Sequence, residues 1–179
     1  FSPTATGVQN ATITINNDDC DEAVYDFAVT GTGAIPAEAL NFDGTNDFVA
    51  VDNSFTQQVF TVEMWLKPGA TQTGFANIID NNHTNLQNWE CQQYFGNTNQ
   101  YIFACSRGDG TGVDVTFNLT ADIWQHVALV KSATKMEAYV DGVLVQTAAW
   151  TGTINYSAPF LRLGTWGGGG RNWNGSMDD

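Results

Sequence analysis

The sequence predicts an all-β protein built as a sandwich of two sheets, and three observations carry that prediction. Apolar and polar residues alternate with period two in many short runs, Gly, Pro, Asn and Asp punctuate the runs, and no stretch holds a helical period. Hydrophobic residues make up 42% and aromatic residues 12% of 179 residues, enough to build a core, so the chain is not disordered. Nineteen acidic residues against six basic ones give a formal net charge of -13, which leaves no basic stripe to neutralise phosphates and excludes nucleic acid as a partner. Excess carboxylates suit a divalent cation or a saline exterior. No run of about eighteen apolar residues occurs, so no membrane insertion is expected. Phe1 is not a natural start, so an excised or processed piece of a longer, secreted protein is expected.

Residues 1–34 stand apart. Ala11 to Ile15 alternates, Asn16 to Glu22 is a polar turn cluster, and Val24 to Val29 alternates again, which predicts one hairpin. A lone hairpin is marginal in water and calls for further strands on its apolar face. Residues 35–39, with Pro36, read as a linker, and residues 40–179 as a second domain. Within it, Phe60, Val62, Met64 and Leu66 alternate with Thr61, Glu63, Trp65 and Lys67, and Pro68-Gly69 ends the run. Phe75 to Asp80 is the next strand, followed by the polar loop Asn81 to Asn88. Val113 to Phe117, Phe160 to Leu163 and Trp173 to Met177 complete the set. The stretch from Trp124 to Trp150 reads as three strands. Its Asp141-Gly142 step favours a two-residue turn with both residues at positive φ. That turn sets Val140 against Val143, Ala138 against Val145 and Met136 against Thr147, with Tyr139 beside Leu144 and Glu137 beside Gln146 on the other side. On the strand before it, the sets Trp124, His126, Ala128, Val130 and Val127, Leu129 are both apolar, so its inward face stays open.

Three motifs carry a family resemblance. Trp124-x-His126-Val127-Ala128 followed by Tyr139-Val140-Asp141-Gly142, the run Leu40 to Val49 (LNFDGTNDFV), and Asn174 to Asp179 (NGSMDD) occur in one order and resemble the laminin-G-like, concanavalin A-like jelly-roll domains. The resemblance implies a jelly-roll sandwich whose first and last strands run side by side, and it places Trp124 in the core. Residues 1–34, ending in Gly31-Thr32-Gly33, resemble the last two strands of choice-of-anchor (HYDIN-like) immunoglobulin-like repeats of bacterial surface proteins. The remaining strands, and other flanking domains, are then expected in a parent chain.

Cys91 and Cys105 flank the aromatic hairpin CQQYFGNTNQYIFAC. Centred at Thr98, it would set Phe95 against Tyr101, Gln93 against Phe103 and Cys91 against Cys105. A disulfide is therefore expected, contributing about 3 kcal/mol and favouring an oxidising compartment. Cys20 is left over, read as an exposed unpaired residue, the alternative being a partner elsewhere in a parent chain.

The residues expected to carry chemistry are acidic, amide and aromatic. Asp43-Gly44-Thr45-Asn46-Asp47 gathers oxygen-bearing side chains on one turn, and Ca²⁺ takes six to eight oxygens. With the chain ends adjacent, as the resemblance implies, Asp43, Asn46 and Asp47 meet Asp178 or Asp179 at one structural calcium. The other reading is an Asx-type turn without metal, since these residue types dominate turns anyway. For a glycan, the expected contacts are Asp80 and Asn81 with Trp89, Trp166, Arg171 and Trp173; tryptophan faces match the C–H faces of sugar rings, and Trp166 and Trp173 bracket Gly167 to Asn172. The alternative is a plain loop between strand aromatics. Glycoside hydrolysis needs paired carboxylates, and the single-strand Glu-x-Asp-x-x-Glu and Glu-x-Asp-x-Glu runs of sandwich hydrolases are absent. His83 and His126 lack a nucleophile and an orienting acid in any motif, so no triad is expected. The sequence reading is a non-catalytic, extracellular carbohydrate-binding adhesion module with structural calcium. Its alternatives are a spacer or protein-interaction module, or an accessory module of a polysaccharide-degrading enzyme.

Overall fold

The computed structural model describes residues 7–16, 18, 24–33, 39–51, 55–83, 87–95, 99–107, 109, 111–167 and 169–179. Cys20 and the linker residues 35–38 lie outside the described residues. The backbone divides into two compact units, Phe1–Glu38 and Ala39–Asp179.

In the first unit, β1 (Gly7–Asn16) and β2 (Val24–Gly33) pair antiparallel without a break, from Gly7 opposite Gly33 to Asn16 opposite Val24. Ile13, Ile15, Tyr25 and Phe27 share one face of the ribbon as alternation requires, yet all are exposed. Among the described residues of this unit, the two strands have no second layer to bury them against.

The described residues of the second unit form twelve strands: β3 (Leu40–Asp43), β4 (Val49–Val51), β5 (Phe60–Pro68), β6 (Asn77–Asp80), β7 (Trp89–Gln93), β8 (Gln100–Ser106), β9 (Gly112–Asn118), β10 (Gln125–Lys131), β11 (Lys135–Val140), β12 (Val143–Ala149), β13 (Leu161–Leu163) and β14 (Asn174–Asp178). They form two six-stranded antiparallel sheets, ordered β12-β11-β10-β5-β14-β3 and β4-β13-β6-β7-β8-β9. This is an all-β jelly-roll sandwich. The first and last strands of the unit, β3 and β14, are direct neighbours.

Alternation decides which side chains fill the space between the sheets. Leu66, Val127, Leu129, Met136 and Ala138 come from one sheet and meet Trp89, Cys91, Tyr101, Phe103, Cys105, Val115 and Phe117 from the other. Val127 and Leu129 are thus the inward set of β10, the choice its two apolar faces left open. The Trp89 ring packs against Phe55, Phe60 and Phe103, with centroids 5.9, 5.0 and 6.1 Å away. Lys131 ends the inward row of β10. Its Nζ donates to the carbonyls of Gln58 (3.0 Å) and Ser132 (2.7 Å) and lies 4.4 Å over the Trp150 ring, so the buried ammonium is satisfied.

Several expected pairings shift. Asp141 and Gly142 take φ of 51° and 76°, and Val140 faces Val143 with Tyr139 facing Leu144. A bulge then skips Val145, so Ala138 faces Gln146, Glu137 faces Thr147 and Met136 faces Ala148. Trp124 is not core: it precedes β10 and is 39% exposed. The expected disulfide is corrected as well. The β7–β8 ladder pairs Gln93 with Tyr101, Cys91 with Phe103 and Trp89 with Cys105, which centres the hairpin at residue 97, one residue before Thr98. Moving the centre by one residue moves the pairing by two. Cys91 and Cys105 therefore sit diagonally on one inward face, where Cα atoms are about 7–8 Å apart, beyond ordinary disulfide reach. Both are free, buried thiols, and burial raises the pKa of each.

Gly164 shows how tightly the sheets close. Its φ is +82°, and a Cβ there would lie 2.3 Å from the Phe42 ring. Gly164→Ala is expected to lower the unfolding free energy by roughly 2–4 kcal/mol, read from urea denaturation, because strain at positive φ adds to overpacking. Cys91 and Cys105 are expected to react with a thiol reagent only after denaturation, and reductant is expected to leave the melting temperature unchanged. An intact Cys91–Cys105 bond in peptide mass mapping would contradict the register.

Candidate functional site

The even-numbered residues of β7 and β8 point away from the core, and the alternation that buries Cys91 and Phe103 sends Glu90, Gln92, Ile102, Ala104 and Ser106 to the outer face of the second sheet. Loops cover much of that face. Phe75 precedes β6, His83 follows it, and Trp166 and Arg171 lie in the loop between β13 and β14. Between these walls and Gly112 and Asp114 of the edge strand β9 lies a cleft of about 720 Å³.

A chain of hydrogen bonds crosses the cleft floor. Asn77 Nδ2 donates to Glu90 Oε2 at 2.6 Å, His83 Nδ1 lies 2.7 Å from Glu90 Oε1, and His83 Nε2 lies 2.9 Å from Ser106 Oγ. A carboxylate offers only acceptors. Nδ1 therefore carries the proton that faces Glu90, and Nε2 of the neutral ring accepts from the Ser106 hydroxyl. Gln92 is only 6% exposed, and its Oε1, like the Oδ1 of Asn77 opposite it, has no partner among the described residues. Gln92 lines the cleft, so its Oε1 is an acceptor to which a ligand can donate.

The walls are tied down from behind. Asp80 Oδ1 accepts the His83 N–H (2.8 Å), Asp80 Oδ2 accepts the Gly167 N–H (2.8 Å), and Trp166 Nε1 donates to the His83 carbonyl (3.2 Å). Gly167 allows a close approach here, since a Cβ would come within 2.7 Å of the Phe160 ring and 3.0 Å of Asp80 Oδ2 and would push both aside. The Arg171 guanidinium lies 5.0 Å from the Phe75 ring centre and 4.7 Å from that of Trp166. Stacking holds it, with no ion pair among the described residues.

Of the residues expected to contact a ligand, Trp166 and Arg171 line the cleft. The others act behind it or elsewhere. Trp89 (1% exposed) and Trp173 (0%) are core residues, the latter packed edge-on against Phe42 at 6.0 Å. Asp80 and Asn81 are fully buried; Asp80 is the tie just described, and Asn81 bonds its N–H to the Trp89 carbonyl. Gly168 lies outside the described residues. The sequence reading missed His83, Glu90, Ser106 and Asp114. Alternation in WECQQ and YIFACS places the even positions on one face, but only the ladder joins them to His83. His83, which stands in no recognisable motif, bonds both Ser106 and Glu90, residues far from it in the chain.

The five residues expected to bind calcium do not come together. Antiparallel pairing puts Asn174 beside Asp43 and sends Asp178 to the far end of β14, opposite Trp65. The four intervening steps span about 13 Å. Asp43 Oδ1 accepts from Thr45 N at 2.7 Å and Asp47 Oδ2 accepts from Asp43 N at 3.0 Å, so each carboxylate already serves the turn. Asp179 N donates to Asp178 Oδ1 at 3.1 Å. Asn46 is exposed on the same turn. Among the described residues no three His, Cys, Asp or Glu side chains gather at one point. The residues do not fit the expected set, and no role is derived for calcium.

Residues 42–179 match the family model described as the concanavalin A-like lectin/glucanases superfamily. The chain belongs to this superfamily. No curated protein matches it in sequence. Among solved structures, this lectin-like chain is similar to domain 4 of AbnA, an extracellular arabinanase from Geobacillus stearothermophilus in complex with arabinotriose, at TM-score 0.60 and 15% identity over 78% of this chain and 67% of that one. It is also similar to the laminin alpha1 LG4-5 domains of mouse, at TM-score 0.59 and 13% identity over 84% of this chain and 41% of that one. The binding domain of botulinum neurotoxin DC in complex with SialylT matches at TM-score 0.57 and 14% identity, over 96% of this chain and 40% of that one. The chain spans about two fifths of those last two. At these identities the likeness is one of fold.

Burial pushes the Asp80 carboxyl up to about 6 from 3.8, against the pull of its two backbone hydrogen bonds. The folded chain therefore holds this proton more tightly than the unfolded chain. The contribution favours the folded state at low pH and is lost as pH rises through about 4 to about 6, a change on the order of 3 kcal/mol. The difference in unfolding free energy between the wild type and Asp80→Asn is expected to change across that window, read from urea titrations at several pH values. A pH-independent difference would place the Asp80 proton elsewhere.

Proposed function

We propose that the cleft over β7 and β8 binds carbohydrate, and that the protein is an extracellular binding module of a larger surface or secreted protein. The observation that carries this reading is the composition of the cleft: a floor of Glu90, Gln92 and Ser106, with the Gln92 acceptor left over, beneath the aromatic residues Phe75 and Trp166. Polyols need that combination. Their hydroxyls require a mixed set of donors and acceptors, and their C–H faces pack on aromatic rings. His83, Glu90 and Ser106 are already fixed by mutual hydrogen bonds, so less side-chain order has to be imposed on binding.

Support also comes from the similar arabinanase domain, which holds arabinotriose, and the similar toxin domain, which holds SialylT. The arabinanase domain also supports a place for this module beside a catalytic domain. The bare apolar faces of β1 and β2 favour a chain that continues into further strands, which fits the immunoglobulin-like repeat the hairpin resembles. Adhesion to a glycan-bearing surface follows as the biological role.

Binding is expected on a glycan array, unchanged by chelator because the polar groups of the cleft floor are held by one another. In calorimetry with the best glycan, Trp166→Ala is expected to weaken affinity at least about 10-fold. Trp65→Ala, on the opposite sheet, is expected to leave it unchanged. Silence across the array, or equal loss from both variants, would remove the reading.

A further inference from the structure

The floor of the cleft holds more than a sugar site needs. Glu90 Oε1, His83 Nδ1, His83 Nε2 and Ser106 Oγ follow one another at 2.7 and 2.9 Å, in the atom order of an acid, a base and a hydroxyl nucleophile. We propose that Ser106, His83 and Glu90 hydrolyse carboxylic esters in this cleft, with O-acylated carbohydrate as the substrate class. The sugar part of that substrate rests on the binding reading above; the ester chemistry rests on the three side chains.

Each component is set in the working orientation. Glu90 is a positioning residue. Its second oxygen is held by Asn77, so the first is turned to Nδ1 and fixes the tautomer that leaves Nε2 free to take a proton. The His83 main chain is fixed by Asp80 at its N–H and by Trp166 at its carbonyl. Ser106 ends β8 and faces the cleft beside Asp114, and the wall supplies the Arg171 guanidinium as countercharge for an oxyanion.

The chemistry closes without an oxidant, a metal or a cofactor. Ser106 Oγ bonds to the acyl carbon as its proton moves to His83 Nε2, and the carbonyl π pair moves onto oxygen. The carbonyl reforms, the bond from acyl carbon to alkoxy oxygen breaks, and the leaving alcohol takes the proton from Nε2. Water then adds to the acyl-serine, giving a proton to Nε2, and Ser106 leaves with that proton. Ester and water become alcohol and carboxylic acid.

The test uses the full chain with 4-nitrophenyl acetate, peracetylated cellobiose and diisopropyl fluorophosphate. Hydrolysis above buffer is expected, with a burst of 4-nitrophenol and a single phosphoryl adduct mapped by mass spectrometry to Ser106. Ser106→Ala and His83→Gln are each expected to lower turnover at least about 100-fold, with folding checked by thermal melting so that either variant suffices if the other unfolds. Glu90→Gln is expected to lower kcat about 100-fold with KM kept, and Glu90→Asp to restore part of it. No adduct and no hydrolysis beyond that of Ser106→Ala, or an adduct at another residue, overturns the proposal. Glycan binding by a wild type that hydrolyses nothing leaves the binding reading standing and this one fallen; ester hydrolysis without glycan binding does the reverse.

Discussion

The pairing of β7 with β8 is the constraint on which the rest of the molecule depends. With Cys91 opposite Phe103, the odd positions of both strands fill the space between the sheets and the even positions face the cleft. A slip of one residue on either strand would send Glu90 and Gln92 into a space lined by Phe60, Leu66 and Val127, and would expose Trp89 and Phe103. The cost of burying an unpaired carboxylate and the loss of aromatic burial act in the same direction. One register thus fixes the core and assembles the site.

Polar groups at the cleft floor are the costly part of this design, and their pairing explains the shape of the loops. β7 is buried along its whole length, including its outward residues, because the loops carrying His83 and Trp166 fold over it. Such a cover is stable when the polar atoms beneath it are satisfied. Asn77, Glu90, His83 and Ser106 form one bonded row, and Asp80 joins the two covering loops by accepting an N–H from each. The tight approach at Gly167 follows from the same tie, since Asp80 Oδ2 reaches that backbone only where no Cβ intervenes. Structural and functional demands meet in Asp80: it is buried for the sake of the cleft walls, and its carboxyl is pushed up to about 6 as a result.

The far end of the sandwich follows a different logic. Asp43, Thr45 and Asp47 spend their polar atoms on the turn that ends β3, and Asn172 and Asn174 bind the same region through Thr45 and the β3 ladder. Hydrogen bonds of the turn and the ladder draw the first and last strands together there. The residue types that suggested an ion are the ones that close turns.

The sequence by itself determined the strands, the alternation and the Asp141-Gly142 turn, because these depend on neighbours in the chain and on a period of two, while the side-by-side placement of β3 and β14 followed from the family resemblance. Trp166 and Arg171 were visible too, beside glycines that no core would contain. Tertiary structure alone decided the rest. A hairpin centre displaced by one residue separated Cys91 from Cys105, and antiparallel direction separated Asp43 from Asp178. Trp89 and Trp173 were claimed by the core, where aromatic burial outweighs exposure. His83, Glu90 and Ser106 lie 7 and 16 residues apart in the chain and meet only because two ladders and a loop carry them to one point. Composition and periodicity act within a strand; distances between strands are set by register, which emerges when the sheets pack.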